Sequence, residues 1–354
     1  MEKKMKKSFF EYMTKNDCIT YLSVIAVYAI IMVLDRSGNL SYQDKSLLVP
    51  VCYSIMLAVS LNMVVGFLGE LSLGHAGFMS VGAYVGCIFA TQTIDIIPTY
   101  IRFPLALLIG GIAAAIFGVI VGVPILRLNG DYLAIVTLAF GEIVKGIIQT
   151  LKITKKGPNG EEIMILDGSL GLRTTDIKLD REWAFTIGFV LVMITLFVVL
   201  NIKHSKIGRA VMAIRDNRIA AEATGINITA YKLMVFVISA FIAGMAGVLF
   251  GHEITTIAAP KFGFNYSIEI LVFVVLGGMG KIRGSIIAAA LLYIIPVKLS
   301  SFIDGGYKTL IYALLLIIMM LLNSNPRFNE FKQKLSPKNL FKKKAVVKEE
   351  TVNE

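Results

Sequence analysis

Ten apolar runs at or near membrane-crossing length punctuate this chain, and that pattern removes most folds from consideration. They lie near 18–34, 47–66, 72–92, 103–126, 132–151, 183–202, 233–251, 268–280, 284–300 and 306–323. Hydrocarbon offers no partner to a bare N–H or C=O, so a run of roughly 20 apolar residues crosses a core about 30 Å thick as a helix whose backbone bonds close within itself. Composition agrees: 56% of the 354 residues are hydrophobic, 17% are charged, and the mean hydropathy is +0.74. The expected fold is all-α, a polytopic integral membrane bundle of about ten transmembrane helices. The eighth run is short, which predicts a broken or re-entrant element there.

A net charge of +11 would suit nucleic acid, but the basic residues sit beside the spans and not on one polar domain. Topology accounts for them. With ten spans and a cytoplasmic N-terminus, the inside segments are 1–17, 203–232, the Lys281/Arg283 turn, and the tail 324–354 with Lys342, Lys343 and Lys344, all net positive. The opposite face balances: Asp35 and Asp44 offset Arg36 and Lys45, and the 152–182 loop sets six bases against six acids. Positive-inside bias therefore predicts cytoplasmic N- and C-termini around a membrane domain at 18–323. The turns at Glu70 and at Arg127/Asp131 add nothing to the bias, so one pair of spans fewer also fits. No cleavage site follows the first span, which is expected to stay as a signal anchor. Cys18, Cys52 and Cys87 share no metal or redox spacing and read as buried thiols.

Glycine spacing dominates within the spans. Gly82/Gly86, Gly118/Gly122, Gly247/Gly251 and Gly280/Gly284 are GxxxG pairs, which let helix backbones meet closely; the glycines of 71–86 would alternatively thin a helix to line a passage. Ionisable groups within spans are the first functional candidates. Glu142 and Lys145 share a helix face, as a structural ion pair or as the lining of a polar route. His75, beside Ser72, serves either packing or substrate; Asn62 and Glu269 read as an interhelical hydrogen bond and an interfacial carboxylate.

Catalytic and metal constellations are missing: His75, His204 and His252 are scattered, and no HExxH or GxSxG occurs. The nearest phosphate-loop imitation, GGMGKIRG at 277–284, has Val275 at the first glycine and Ile282 in place of Ser or Thr. The chain is expected to be no enzyme and to bind no cofactor of its own. Against that background stands the polar stretch Lys203 to Lys232, with six bases and two acids among strong helix formers. It reads as a short helix on the inner face, either seated in a separate ATPase or lying on anionic lipid.

Four blocks, NMVVGFLGELSLGHAGFMSVGAYVG (62–86), LNGDYLAIVTLAFGEIVK (128–145), GRAVMAIRDNRIAAEATGINITAYKLMVFVISAFIAGMAGVLFG (208–251) and LVFVVLGGMGKIRGSIIAAALL (271–292), resemble the LivM-type permeases of ABC importers for branched-chain amino acids. The resemblance covers about 47–323. It implies a multi-pass protein of a bacterial inner or plasma membrane, paired with a LivH-like permease. Two cytoplasmic ATPases using ATP and Mg, and an extracytoplasmic binding protein that delivers leucine, isoleucine or valine, are implied as well. AAEATG at 220–225 is similar to the motif by which importer permeases seat on ATPases, with Glu222, Ala223 and Gly225 matching its acidic, small and glycine elements. The expected docking set is Arg209, Arg215, Asn217, Ala221, Glu222, Ala223 and Gly225, and the expected pathway set is Asn62, Ser72, His75, Glu142 and Lys145. Family members also serve urea, short amides or other amino acids. A secondary transporter would need inverted repeats, and a channel a filter sequence; neither stands out.

Overall fold

A computed structural model describes residues 15–125, 130–156, 162–168 and 170–299, together with Leu314 and Ile317. Residues 1–14, the Arg127 turn, the GPNG stretch at 157–160, most of the tenth run and the basic tail lie outside the described residues. The chain divides into two units, Met1–Ile294 and Ile295–Glu354. In the second, 295–299 finish a helix, and Leu314 and Ile317 are helical.

Nine of the ten expected runs become helices: α1 (Lys15–Arg36), α2 (Tyr42–Asn62), α3 (His75–Gln92), α4 (Thr99–Ile125), α5 (Asp131–Thr150), α6 (Arg181–His204), α9 (Ile228–Glu253), α10 (Phe264–Gly277) and α11 (Ile282–Leu299). Two shorter helices, α7 (Lys206–Asp216) and α8 (Arg218–Ala223), fill the polar stretch. A π-helical turn, Met63–Leu68, extends α2. Among the described residues, seven helices are long and apolar enough to cross a membrane. The exceptions are α3, which begins on His75 and is enclosed by its neighbours, and α10, the eighth run. With 14 residues, α10 spans about 21 Å, short of the hydrocarbon thickness. It stops at Gly278, whose φ of 91° is left-handed.

The core is where α3, α4 and α9 meet without side chains between them. A Cβ on Gly82 would stand 2.3 Å from Gly244 Cα, and one on Gly244 would stand 2.8 Å from Gly110 O. One on Gly247 would stand 2.1 Å from Met79 O. Such contacts allow only hydrogen, so these helices pack backbone against backbone. The Gly280/Gly284 pair is different: Gly280 has a φ of 79° in the α10–α11 turn, so the two do not share a helix. Around this core, α2 is largely enclosed, whereas α1 turns Leu22, Ile30 and Val33 outward, as a lipid-facing helix does.

At one end of the bundle the 152–182 connection is not the plain loop its turn residues suggest. Strands β1 (Lys152–Lys156), β2 (Glu162–Asp167) and β3 (Gly171–Arg173) add to β4 (Thr256–Ile257), from the α9–α10 link, in an antiparallel sheet ordered β1-β2-β3-β4. Leu166 pairs with Leu172, and Leu172 with Ile257, so three buried side chains form one cross-strand row over the helix ends. Tyr84 of α3 donates to Ile257 O at 2.9 Å, and Thr174 N donates to Thr255 O at 2.9 Å. The all-α expectation therefore holds for the bundle but not for this cap. Cys52 and Cys87 are buried as expected; Cys18 is exposed, because it falls on the outer side of peripheral α1. His252 is also buried within a helix, since α9 continues past the predicted end at 251.

Gly244→Val should break the three-helix contact. Overpacking of this kind costs about 1–3 kcal/mol or more, read as a lower melting temperature in detergent, while Gly146→Val, where a Cβ meets nothing within 4 Å, should leave it nearly unchanged.

Candidate functional site

The predicted docking stretch is two helices, not one. Asn217, with φ −156° and ψ 105°, is extended, and its Oδ1 accepts from Ala220 N at 3.0 Å. That makes it an N-cap: it ends α7 and starts α8. The end of α8 is equally determined. Ile226 N donates to Ala221 O at 3.2 Å and Gly225 N to Glu222 O at 2.9 Å, a Schellman closure that requires the φ of 83° at Gly225. Asn227 then caps α9, accepting from Ala230 N at 3.1 Å. The glycine of AAEATG thus has a backbone reason of its own, separate from any partner.

Side-chain directions sort the expected docking set. Gly208, Ala210, Val211 and Ile214 of α7 are buried against the π-helical turn and α9, which leaves that face unavailable to lipid. Ala221 also points inward; Glu222 and Ala223 point outward. Arg209 is exposed and donates from Nη1 to His204 O at 3.2 Å. Arg215 stays exposed but reaches back along the bundle, with Nη1 donating to Gly66 O at 3.0 Å and Nη2 lying 2.9 Å from Asp216 Oδ1. Sequence reasoning missed Ile219, which is 81% exposed on α8. The available signal was one large aliphatic residue on the polar side of a capped helix.

The pathway set falls into separate places. Residues two apart on a helix point nearly opposite ways, and α2 uses this: Ser60 turns to α3, while Asn62 turns to the α10–α11 turn. Asn62 is fully buried, its Nδ2 donating to Ser285 Oγ at 2.9 Å and its Oδ1 accepting from Gly280 N at 2.8 Å. His75 Nε2 lies 2.8 Å from Ser60 Oγ. Since Ser60 Oγ itself donates to Leu57 O at 3.0 Å, the imidazole N–H is left to donate to the serine oxygen. Ser72 Oγ is buried with no hydrogen-bond partner among the described residues. Glu142 and Lys145 do pair, on α5, and Glu142 Oε1 also accepts from Phe264 N at 2.8 Å, capping α10 from a neighbouring helix.

Between the π-helical turn and α3 runs an unwound segment, Gly69 to Gly74. Because α3 starts opposite Ser60, two turns back along α2, this stretch brings bare backbone into the bundle. Side chains satisfy it: Leu73 N donates to Thr137 Oγ1 at 3.0 Å, and Ala76 N to Ser267 Oγ at 3.2 Å. At its start, Glu70 forms a buried ion pair with Lys232 of α9. Neither residue was singled out from the sequence, since Glu70 read as a neutral turn and Lys232 as the edge of a basic stretch. Among the described residues, no group of His, Cys, Asp and Glu could hold a metal ion.

Residues 45–322 match the family described as branched-chain amino acid transport system / permease component. The chain is 34% identical over 288 residues to the high-affinity branched-chain amino acid transport system permease protein LivM of Salmonella typhimurium, covering 75% of this chain and 65% of that protein. LivM of Escherichia coli matches with the same identity and coverage. LivH of Salmonella typhimurium is 25% identical over 283 residues, or 75% of this chain and 88% of LivH. The chain thus spans less than two thirds of the length of the LivM relatives. No solved structure matches it.

Asn62→Leu should strand Gly280 N and leave the Ser285 hydroxyl only its long bond, 3.5 Å, to Lys281 O. Each buried group left unpaired costs about 1–3 kcal/mol, measurable as a lower melting temperature, whereas Glu142→Gln, which keeps an acceptor for Phe264 N, should melt close to the wild type.

Proposed function

Because the chain belongs to the family of branched-chain amino acid transport system permease components, we propose that it is one permease subunit of an ATP-driven importer for leucine, isoleucine or valine in a bacterial inner or plasma membrane. A LivH-like permease is its partner in the membrane, in keeping with the similarity to LivH. Two cytoplasmic ATPases supply the energy with ATP and Mg, and an extracytoplasmic binding protein delivers the cargo to the sheet end. Both termini lie in the cytoplasm, as the positive bias of 1–17 and of the tail supports. This chain is a transport subunit and hydrolyses nothing itself.

The observation that carries the reading is the α7–α8 pair. One face of α7 is bolted to the bundle, and the capped α8 stands off it with Ile219 and Glu222 exposed. A partner that closes on α8 pushes on a rigid body joined to α9. Binding energy concentrates on side chains that become fully desolvated near the centre of an interface, and Ile219, the large apolar residue exposed on α8, is the anchor, with Glu222, Ala223 and Arg209 around it. Arg215, Asn217, Ala221 and Gly225 shape the element from behind. Along the pathway, Ser72, His75, Glu142 and Lys145 supply the dipoles and charges that meet a zwitterion, and Asn62 holds the walls together.

The test is co-purification with the ATPases, together with uptake of leucine, isoleucine and valine into vesicles holding the full complex. Ile219→Asp and Glu222→Lys are each expected to weaken ATPase association by about tenfold or more, within the range of interface anchors, and to abolish uptake. Retained association and uptake in both variants would sink the docking assignment.

A further inference from the structure

The proposed coupling leaves open which part of the membrane domain α8 moves, and the contacts around Gly69 to Gly74 supply an answer. Two side chains from the α7–α9 body reach this segment and its approach. Arg215, on the last turn of α7, donates to Gly66 O at 3.0 Å in the π-helical turn, and its Cγ lies where a Cβ on Gly69 would be, 2.6 Å away. Lys232, on the first turns of α9, pairs with Glu70. Both members are sequestered, with side-chain exposure of 4% for Lys232 and 14% for Glu70.

The far end of the segment is held differently. Leu73 and Ala76 are fixed by neutral hydrogen bonds to Thr137 of α5 and Ser267 of α10. Those two helices carry the Glu142–Lys145 pair and the α10 terminus that Glu142 caps. Six unwound residues, bonded to the adjoining helices only at their two ends, therefore connect the docking helices to the charged groups of α5 and α10. A buried ion pair at such a place is an uneconomical way to gain stability, since desolvation offsets most of its attraction. It is an effective way to fix one geometry.

Resting on the permease reading above, we propose that Lys232–Glu70 is a strut: a pair of positioning residues that transmits movement of α7–α9 to the unwound segment and so to α5 and α10. Neither residue touches the ATPase or the cargo. Cutting the strut separates ATP hydrolysis from transport.

The experiment uses the full complex in vesicles, with hydrolysis and leucine uptake measured on the same preparation. Lys232→Met and Glu70→Gln are expected to retain ATPase association and hydrolysis within about twofold while uptake per ATP falls by about tenfold, a common size for coupling between sites. The reversed pair, Glu70→Lys with Lys232→Glu, is expected to recover at least half of the ratio. If the single variants do not assemble, the charge-free pair Glu70→Gln with Lys232→Gln is read instead, and it too should lose the ratio. An unchanged ratio in any assembled variant without the charges, or a reversed pair no better than the singles, overturns the strut. Wild-type complex that hydrolyses ATP but moves no branched-chain amino acid counts against the permease reading, a separate outcome.

Discussion

Everything in this bundle is arranged around the meeting of α3, α4 and α9 at Gly82, Gly110 and Gly244. In lipid there is no hydrophobic gain from bringing apolar helices together, so association depends on dispersion contacts and on polar groups that find each other. Removing side chains at the crossing brings the three backbones into contact there. That fixed wedge gives the more peripheral helices, and the polar contacts of α2 and α10, a stationary surface to work against.

The second constraint is that no backbone group is left bare at depth, and here the protein takes a harder course than an unbroken helix. A π-helical turn, six unwound residues and the short α10 all interrupt regular hydrogen bonding. Asn62, Thr137, Glu142 and Ser267 each lend a side-chain atom to a backbone N–H on another element. These four residues are distributed over three helices, α2, α5 and α10. The irregular parts are therefore stitched to the regular ones by polar bonds whose geometry is specific, which apolar packing alone would not provide.

Much of the architecture was legible in the sequence because apolar length and glycine spacing are local signals. Nine helices follow the hydropathy, and Gly82 and Gly247 sit in the close contacts their spacing implies. What stayed hidden depends on partners distant in the chain. Asn217 and Gly225 are ordinary polar and small residues until capping geometry splits the expected single helix in two. Glu70 and Lys232 are separated in the chain by the four apolar helices α3 to α6, and no periodicity links them. The sheet was missed for the same reason: β4 is only two residues long and becomes a strand because β3 is there to pair with it. Of the pathway set, only Glu142 and Lys145, neighbours on one helix, were brought together as expected.

That late pairing carries a consequence for how the molecule is made. Residues β1 to β3 leave the ribosome well before β4, with α6, α7, α8 and α9 in between. Until α9 has been threaded across, Leu172 has no Ile257 to cover it, and the β3 edge presents open hydrogen-bonding groups. The sheet is thus a latch that only a correctly inserted α6–α9 hairpin closes. A chain that inserts this hairpin the wrong way round, or skips it, keeps an unlatched apolar edge, which distinguishes misassembled copies from finished ones during biogenesis.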